Sequence, residues 1–109
     1  NFIVKILRKI RTVRKVSPGE FKKNCILIKD RLSSSKYYVL SIVEPCDAFE
    51  IEVPKVKESV QLYNQIMREV FPENFLEVKL DLNMDVMSDF YHLKKSGHVK
   101  IFNLLSKYL

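Results

Sequence analysis

The sequence predicts an α+β domain in which a mainly antiparallel sheet of about four strands packs on helices, with a basic helix or strand at its N-terminal edge. Three observations predict it. Two runs, "AFEIEV" at 48–53 and "LEVKLDL" at 76–82, alternate apolar and charged residues as strands with one wet face do. Residues 55–71 between them carry apolar side chains every three or four positions, the helical period. The connectors "RLSSSK" and "EPCD" are short and rich in turn-formers, which favours antiparallel neighbours over the longer crossovers that parallel strands need.

The first element covers residues 2–16. Ile3, Ile6 or Leu7, Ile10 and Val13 recur at helical spacing, leaving Lys5, Arg8, Lys9 and Arg11 on the remaining surface. The β-branched content of Ile3, Val4, Ile6, Ile10, Thr12, Val13 and Val16 supports a strand instead, and both readings stay open. In either case Ser17-Pro18-Gly19 is expected to end the element, because proline lacks the amide donor and biases its predecessor towards extended geometry.

Strands are then expected at 21–30 ("FKKNCILIKD"), 37–43 ("YYVLSIV") and 48–53, with Cys25 and most of the "CILI" run buried. In the last of these, Phe49, Ile51 and Val53 face inward and Glu50 and Glu52 outward. Pro54 marks the change to a helix on Val56, Val60, Tyr63, Met67 and Val70, joined by Leu62 and Ile66 and stopped by Phe71-Pro72. The fourth strand puts Leu76, Val78, Leu80 and Leu82 against Glu77, Lys79 and Asp81. Asp85 is placed to cap a final helical region on Val86, Phe90 and Leu93, which Ser96-Gly97 interrupts. Ile101, Phe102, Leu105, Tyr108 and Leu109 resume the pattern with too much apolar surface for a free tail. The terminus is expected to dock on the core or on another chain, with Phe102, Leu105 and Leu109 packed against the sheet or the 55–71 helix, and this helix is a candidate for homo-oligomer contact.

At 109 residues the chain is sized for one domain, 1–109, and its start on Asn rather than Met reads as a piece of a longer protein. Apolar residues at 47% and charged residues at 29% are those of a folding sequence, and two glycines leave no room for a Gly-rich phosphate loop. No apolar run approaches the roughly 18 to 20 residues of a membrane span, and the opening lacks the apolar stretch of a signal peptide. Cys25 and Cys46 read as reduced structural thiols, pointing to an intracellular setting, cytoplasm or nucleus. A single disulfide stays open, since both fall in the expected sheet.

Charge is the strongest functional signal. Residues 1–36 hold eleven Lys or Arg against Glu20 and Asp30, a balance of +9, while residues 37–109 hold eight against eleven acids, a balance of −3. From Lys5 to Lys15 six of eleven residues are cationic and none is acidic. Solvated faces generally mix signs, so this end is expected to meet an anionic partner. The candidate binding residues are Lys5, Arg8, Lys9, Arg11, Arg14, Lys15, Lys22 and Lys23. Lys29, Arg31 and Lys36 extend the bias.

Other constellations carry less. His92 and His98 stand six apart outside any Cys- or carboxylate-rich cluster, so no metal is expected. Cys25 lies in an apolar run where a reactive thiolate is hard to maintain. Glu50 and Glu52 sit about 7 Å apart on a strand face, but are expected as its wet side or as cross-strand partners of Lys22, Lys29 or Lys36. Tyr37 and Tyr38 open a strand, and one of the two must face outward.

The expected order of helix, three-strand meander and helix is similar in topology to the double-stranded RNA-binding domain. That family places small residues and a basic cluster at the start of its second helix. Here "PKVKESVQLYNQ" supplies Lys55 and Lys57, then Glu58 and a bulky run, and the strand at 76–82 is an addition, so the chain is not assigned to it. The expectation is a non-catalytic protein-interaction domain of a larger intracellular protein, binding an acidic or phosphorylated segment through its basic N-terminal surface. The alternative is a nucleic-acid-binding module contacting the phosphate backbone through the same cations. No catalytic group, cofactor or metal is expected.

Overall fold

The computed structural model describes residues 16–88 and 92–109. The expected helix or strand over 2–16 therefore lies outside the described residues, except for Val16. Helix accounts for 52% of the described residues. The order is α1 (Pro18–Arg31), β1 (Val39–Leu40), α2 (Asp47–Glu52), α3 (Val56–Val70), β2 (Phe75–Leu76) and α4 (Lys95–Ser106). The four-stranded antiparallel sheet is not formed. β1 and β2 make one two-stranded parallel sheet, Val39 beside Phe75 and Leu40 beside Leu76, with α2 and α3 in the crossover. The likeness to the double-stranded RNA-binding domain falls with the meander.

The run 21–30, expected as a strand, lies within α1, and the physical reason is its start. Ser17 is the N-cap, its Oγ accepting from the Glu20 amide at 3.2 Å, and Pro18 occupies the first turn where a missing amide costs nothing. Ser17-Pro18-Gly19 thus begins a helix. Glu20 in the first turn and Lys29 and Arg31 in the last complement the helix dipole. Phe21 and Cys25, four apart, turn towards α3. Cys25 is buried as expected, but Ile26, Leu27 and Ile28 are 44%, 56% and 49% exposed.

The run 48–53 is likewise helical, covering most of α2. Glu50 is neither a wet strand residue nor a partner of Lys22, Lys29 or Lys36. Its Oε1 accepts from the Lys55 amide at 3.1 Å and its Oε2 from the Lys57 amide at 2.8 Å. One carboxylate thereby satisfies free donors at the start of α3 and holds Lys55 in the left-handed region, φ 66°.

Helix α3 follows its periodicity. Val60, Ile66, Met67 and Val70 are buried, and Phe71, which ends it, is buried more deeply still. Phe21 meets Tyr63 edge to face at 4.7 Å on the α1 side, and Tyr37 meets Phe71 the same way at 6.0 Å beside the strands. Full burial of such a side chain contributes about 1.5 to 3 kcal/mol, and the half-buried Phe21, Tyr37 and Tyr63 contribute less. Lys29 Nζ donates to the Val70 carbonyl at 2.9 Å, tying α1 to the otherwise open end of α3.

The strand expected at 37–43 is reduced to β1, and that at 76–82 to Phe75–Leu76 followed by unpaired extended chain. Ser41 N donates to the Leu76 carbonyl at 2.9 Å, but the next rung is lost because Val78 N donates to Ser41 Oγ at 2.8 Å. Ile42 has already turned to α3. Its amide donates to Asn64 Oδ1 and its carbonyl accepts from Asn64 Nδ2, both at 2.8 Å, so one side-chain amide replaces a neighbouring strand. Alternation nevertheless continues: Leu76 and Val78 are buried, Leu80 and Leu82 half-buried, and Glu77, Lys79 and Asp81 exposed.

Asp85 does not cap a helix, since α4 begins ten residues later with Lys94 at its N-cap. The Asp85 side chain is 1% exposed, and its Oδ2 accepts from Lys100 Nζ at 2.5 Å and from the Asp81 amide at 2.8 Å. The Asp85 carbonyl accepts from the Lys94 amide at 2.7 Å. Gly97 lies in the first turn of α4 and does not interrupt a helix. It is there because a Cβ would come within 2.8 Å of the Asp85 carbonyl oxygen. Ile101 and Leu105 are half-buried, whereas Phe102 is 67% and Leu109 86% exposed, correcting the expectation that these two pack against the sheet or the 55–71 helix.

Two outcomes test this C-terminal attachment. Gly97→Ala, which stabilises an ordinary helix interior by roughly 1 kcal/mol, here lowers the unfolding free energy by about 1 to 3 kcal/mol because the obstructing atom is backbone. Chemical denaturation reads the sign. The Lys100 ammonium, with Ser96 and the Asp81 amide alongside, holds the Asp85 carboxyl down from 3.8 to about 2. The stability this gives is complete above the unfolded-state value near 3.8 and is lost as pH falls towards about 2. The wild-type thermal midpoint therefore falls more steeply over that window than that of Asp85→Asn, which lacks the titrating group.

Candidate functional site

Of the eight predicted partner-binding residues, Lys5, Arg8, Lys9, Arg11, Arg14 and Lys15 lie outside the described residues. Lys22 and Lys23 lie on α1 and are exposed. Their direction follows from the helix: Phe21 and Cys25 face α3, which turns the adjacent positions outward. The chain enters α1 at a fixed point, since the Tyr63 hydroxyl donates to the Val16 carbonyl just before the Ser17 cap.

Four residues beyond Lys22 and Lys23 stand Ile26 and Leu27, their neighbours on the helix surface and about half exposed. The surface is therefore cationic and apolar together. Charge alone does not show this, because the apolar run reads equally as the inside of a strand. Lys29, counted with the basic bias, is committed to the Val70 carbonyl. Lys36 places its ammonium 6.0 Å from the Tyr38 ring centre, and Arg31 is exposed. Tyr38 is half-buried, with its hydroxyl donating to the Tyr108 carbonyl at 2.9 Å.

A concave surface lies beyond the strands. Where the two chains separate beyond β1 and β2, a cleft of about 770 Å³ opens between residues 41–47, residues 77–83 and the polar side of α3. Gln61, Asn64, Gln65 and Arg68 form its helical wall at spacings of three and four, a stripe legible in the sequence but overshadowed by the apolar face opposite. Arg68 Nη1 donates to Gln65 Oε1 at 2.8 Å, and its guanidinium lies 5.1 Å from the Phe75 ring centre. At the rim Lys57 Nζ donates to Asp47, an exposed pair that pulls the Asp47 carboxyl down and pushes the Lys57 ammonium up. Such a contact adds little to stability.

Cys25 is a buried free thiol whose desolvation raises its pKa, which disfavours the nucleophilic thiolate. Cys46, also free, lines the cleft, so the open question of a disulfide resolves to two thiols. Among the described residues no group of three His, Cys, Asp or Glu side chains is placed to hold a metal ion. No helix among them is long and apolar enough to cross a membrane. No family model, curated protein or solved structure matches the chain.

Proposed function

We propose that the chain is a non-catalytic interaction domain of a larger intracellular protein, engaging an acidic or phosphorylated protein segment through its basic N-terminal surface. One observation carries the choice of a protein partner: Lys22 and Lys23 share the outer face of α1 with exposed Ile26 and Leu27. Cations alone serve a phosphate backbone equally well. Cations beside uncovered apolar side chains fit a partner that offers carboxylates or phosphates and an apolar anchor, because desolvated anchors supply most interface energy while the charges steer the encounter. The burial of Cys25 disfavours it as a nucleophile.

The test is a titration of the full chain against an acidic phosphopeptide carrying Leu and Phe, against duplex RNA and against duplex DNA, each at two salt concentrations. The wild-type chain is expected to bind the peptide with a substantial salt-resistant component. Ile26→Ser with Leu27→Ser should weaken that binding about tenfold or more by removing the anchors. Replacing Arg8, Lys9, Arg11 and Arg14 by Gln should weaken it while leaving the thermal midpoint nearly unchanged, since exposed charges contribute little to folding. Preferential duplex binding with a salt slope of about −0.9 per neutralised phosphate, indifferent to the Ile26 and Leu27 changes, establishes the nucleic-acid alternative. Absence of binding to all three leaves the basic face a solvated surface and refutes the proposal.

A further inference from the structure

The run "LEVKLDL" has the alternation of a seven-residue strand, yet among the described residues only its Leu76, with Phe75 before it, pairs with another strand. The mismatch is confined to one edge. Leu76 O accepts from Ser41 N, and Val78 N donates to Ser41 Oγ, so both residues direct their backbone groups towards β1. Successive residues of an extended chain point opposite ways, and the amide and carbonyl of Glu77 and Lys79 therefore face the outer edge. There the Phe75 amide donates to the Phe71 carbonyl and the Asp81 amide to Asp85 Oδ2, closing the edge at either end. Between them no described residue bonds the backbone of Glu77 or Lys79, and the sheet has no third strand among the described residues.

The free stretch is complementary to itself. When two copies run antiparallel with Val78 opposite Val78, Glu77 of each copy faces Lys79 of the other. The same register makes these the hydrogen-bonded positions: the Glu77 amide donates to the Lys79 carbonyl of the second copy, and the Lys79 amide of the second copy donates to the Glu77 carbonyl. The two-fold axis repeats this pair of bonds, so the register holds four hydrogen bonds and two ion pairs. Leu76 falls opposite Leu80 on the buried face, so apolar and charged faces both match. A one-residue slip sets Leu, Val and charged side chains on mismatched faces, and a two-residue slip sets Lys79 opposite Lys79 or Glu77 opposite Glu77.

We propose that Glu77–Lys79 is the edge through which two copies of this chain associate, joining their two-stranded sheets into one of four strands. The dimer is isologous, because each copy presents the same short segment. Its occupant is fixed by charge: the exposed pattern Glu77-Val78-Lys79 pairs with its own reverse. This interface is separate from the basic face of α1 and from the exposed Phe102 side of α4.

Sedimentation equilibrium on the full chain over a range of concentrations, with circular dichroism to verify folding, tests the pairing. The wild-type chain is expected to dimerise. Glu77→Lys and Lys79→Glu each turn two attractions into two repulsions and should weaken the dimer about tenfold or more. An equimolar mixture of these two single variants should associate again, as a heterodimer, and the charge-exchanged double variant should recover self-association. Lys79→Pro, which removes an outer amide and keeps the Val78 bond to Ser41, should be monomeric. A wild-type chain that stays monomeric up to about 1 mM overturns the proposal. So does a dimer unaffected by either charge reversal, or one dissociated by Phe102→Asp and not by Lys79→Pro, which would move the contact to α4.

Discussion

One apolar stripe on α3, running from Val60 through Met67 to Phe71, has to serve two sides at once. Val60 is buried on it, and Ile66, Met67, Val70 and Phe71 form its part of the main core cluster, with Cys25 and Phe21 closing on it from α1 and Tyr37, Val39 and Phe75 from the strands. A single helical stripe spans only part of the helix circumference. Each side receives a share too narrow to bury a whole second face. Helix α1 accordingly sinks Cys25 and leaves the next three apolar residues half in water, and β1 and β2 need only two residues each to cover theirs. The exposed apolar side of α1 is thus a geometric remainder of how little α3 can cover.

Where a segment's periodicity was long and unopposed, it was legible. α3 lies where its three-to-four spacing places it, and the inside and outside of residues 76–82 follow their alternation even though hydrogen-bonded pairing stops at Leu76. Short apolar runs misled, because "NCILI" satisfies a buried strand and a half-exposed helix equally and only the Ser17 cap decides between them. "AFEIEV" misled for another reason. Its alternating glutamates look like a wet face, but Glu50 is spent on the amides of Lys55 and Lys57, a role set by the following turn and invisible to a period count. Of the proposed binding residues, Lys22 and Lys23 are exposed, while the apolar neighbours that narrow the choice of partner were hidden by the wrong element type.

The parallel pairing of β1 and β2 also shapes the polar side of the molecule. A parallel neighbour requires a long return, and here α2 and α3 fill it. Beyond the pair, Asn64 holds Ile42 by both backbone groups and draws that chain onto α3, while residues 77–80 continue alone. The separation creates the cleft on one side of the extended chain and leaves the Glu77 and Lys79 backbone without a hydrogen-bond partner among the described residues on the other. A sheet this small retains unpaired edge positions that a larger one would cover.

The two free thiols occupy unequal places, Cys46 half-buried at the rim of the cleft and Cys25 sealed between α1 and α3. An alkylating reagent therefore meets them on different clocks. Cys46 is open to the reagent from the cleft without any opening of the fold, whereas Cys25 waits until the two helices part, and its slowing relative to a free thiol measures the population of that opened form. The native sequence thus contains its own reporter of helix separation, with an internal reference on the same chain and no engineered label.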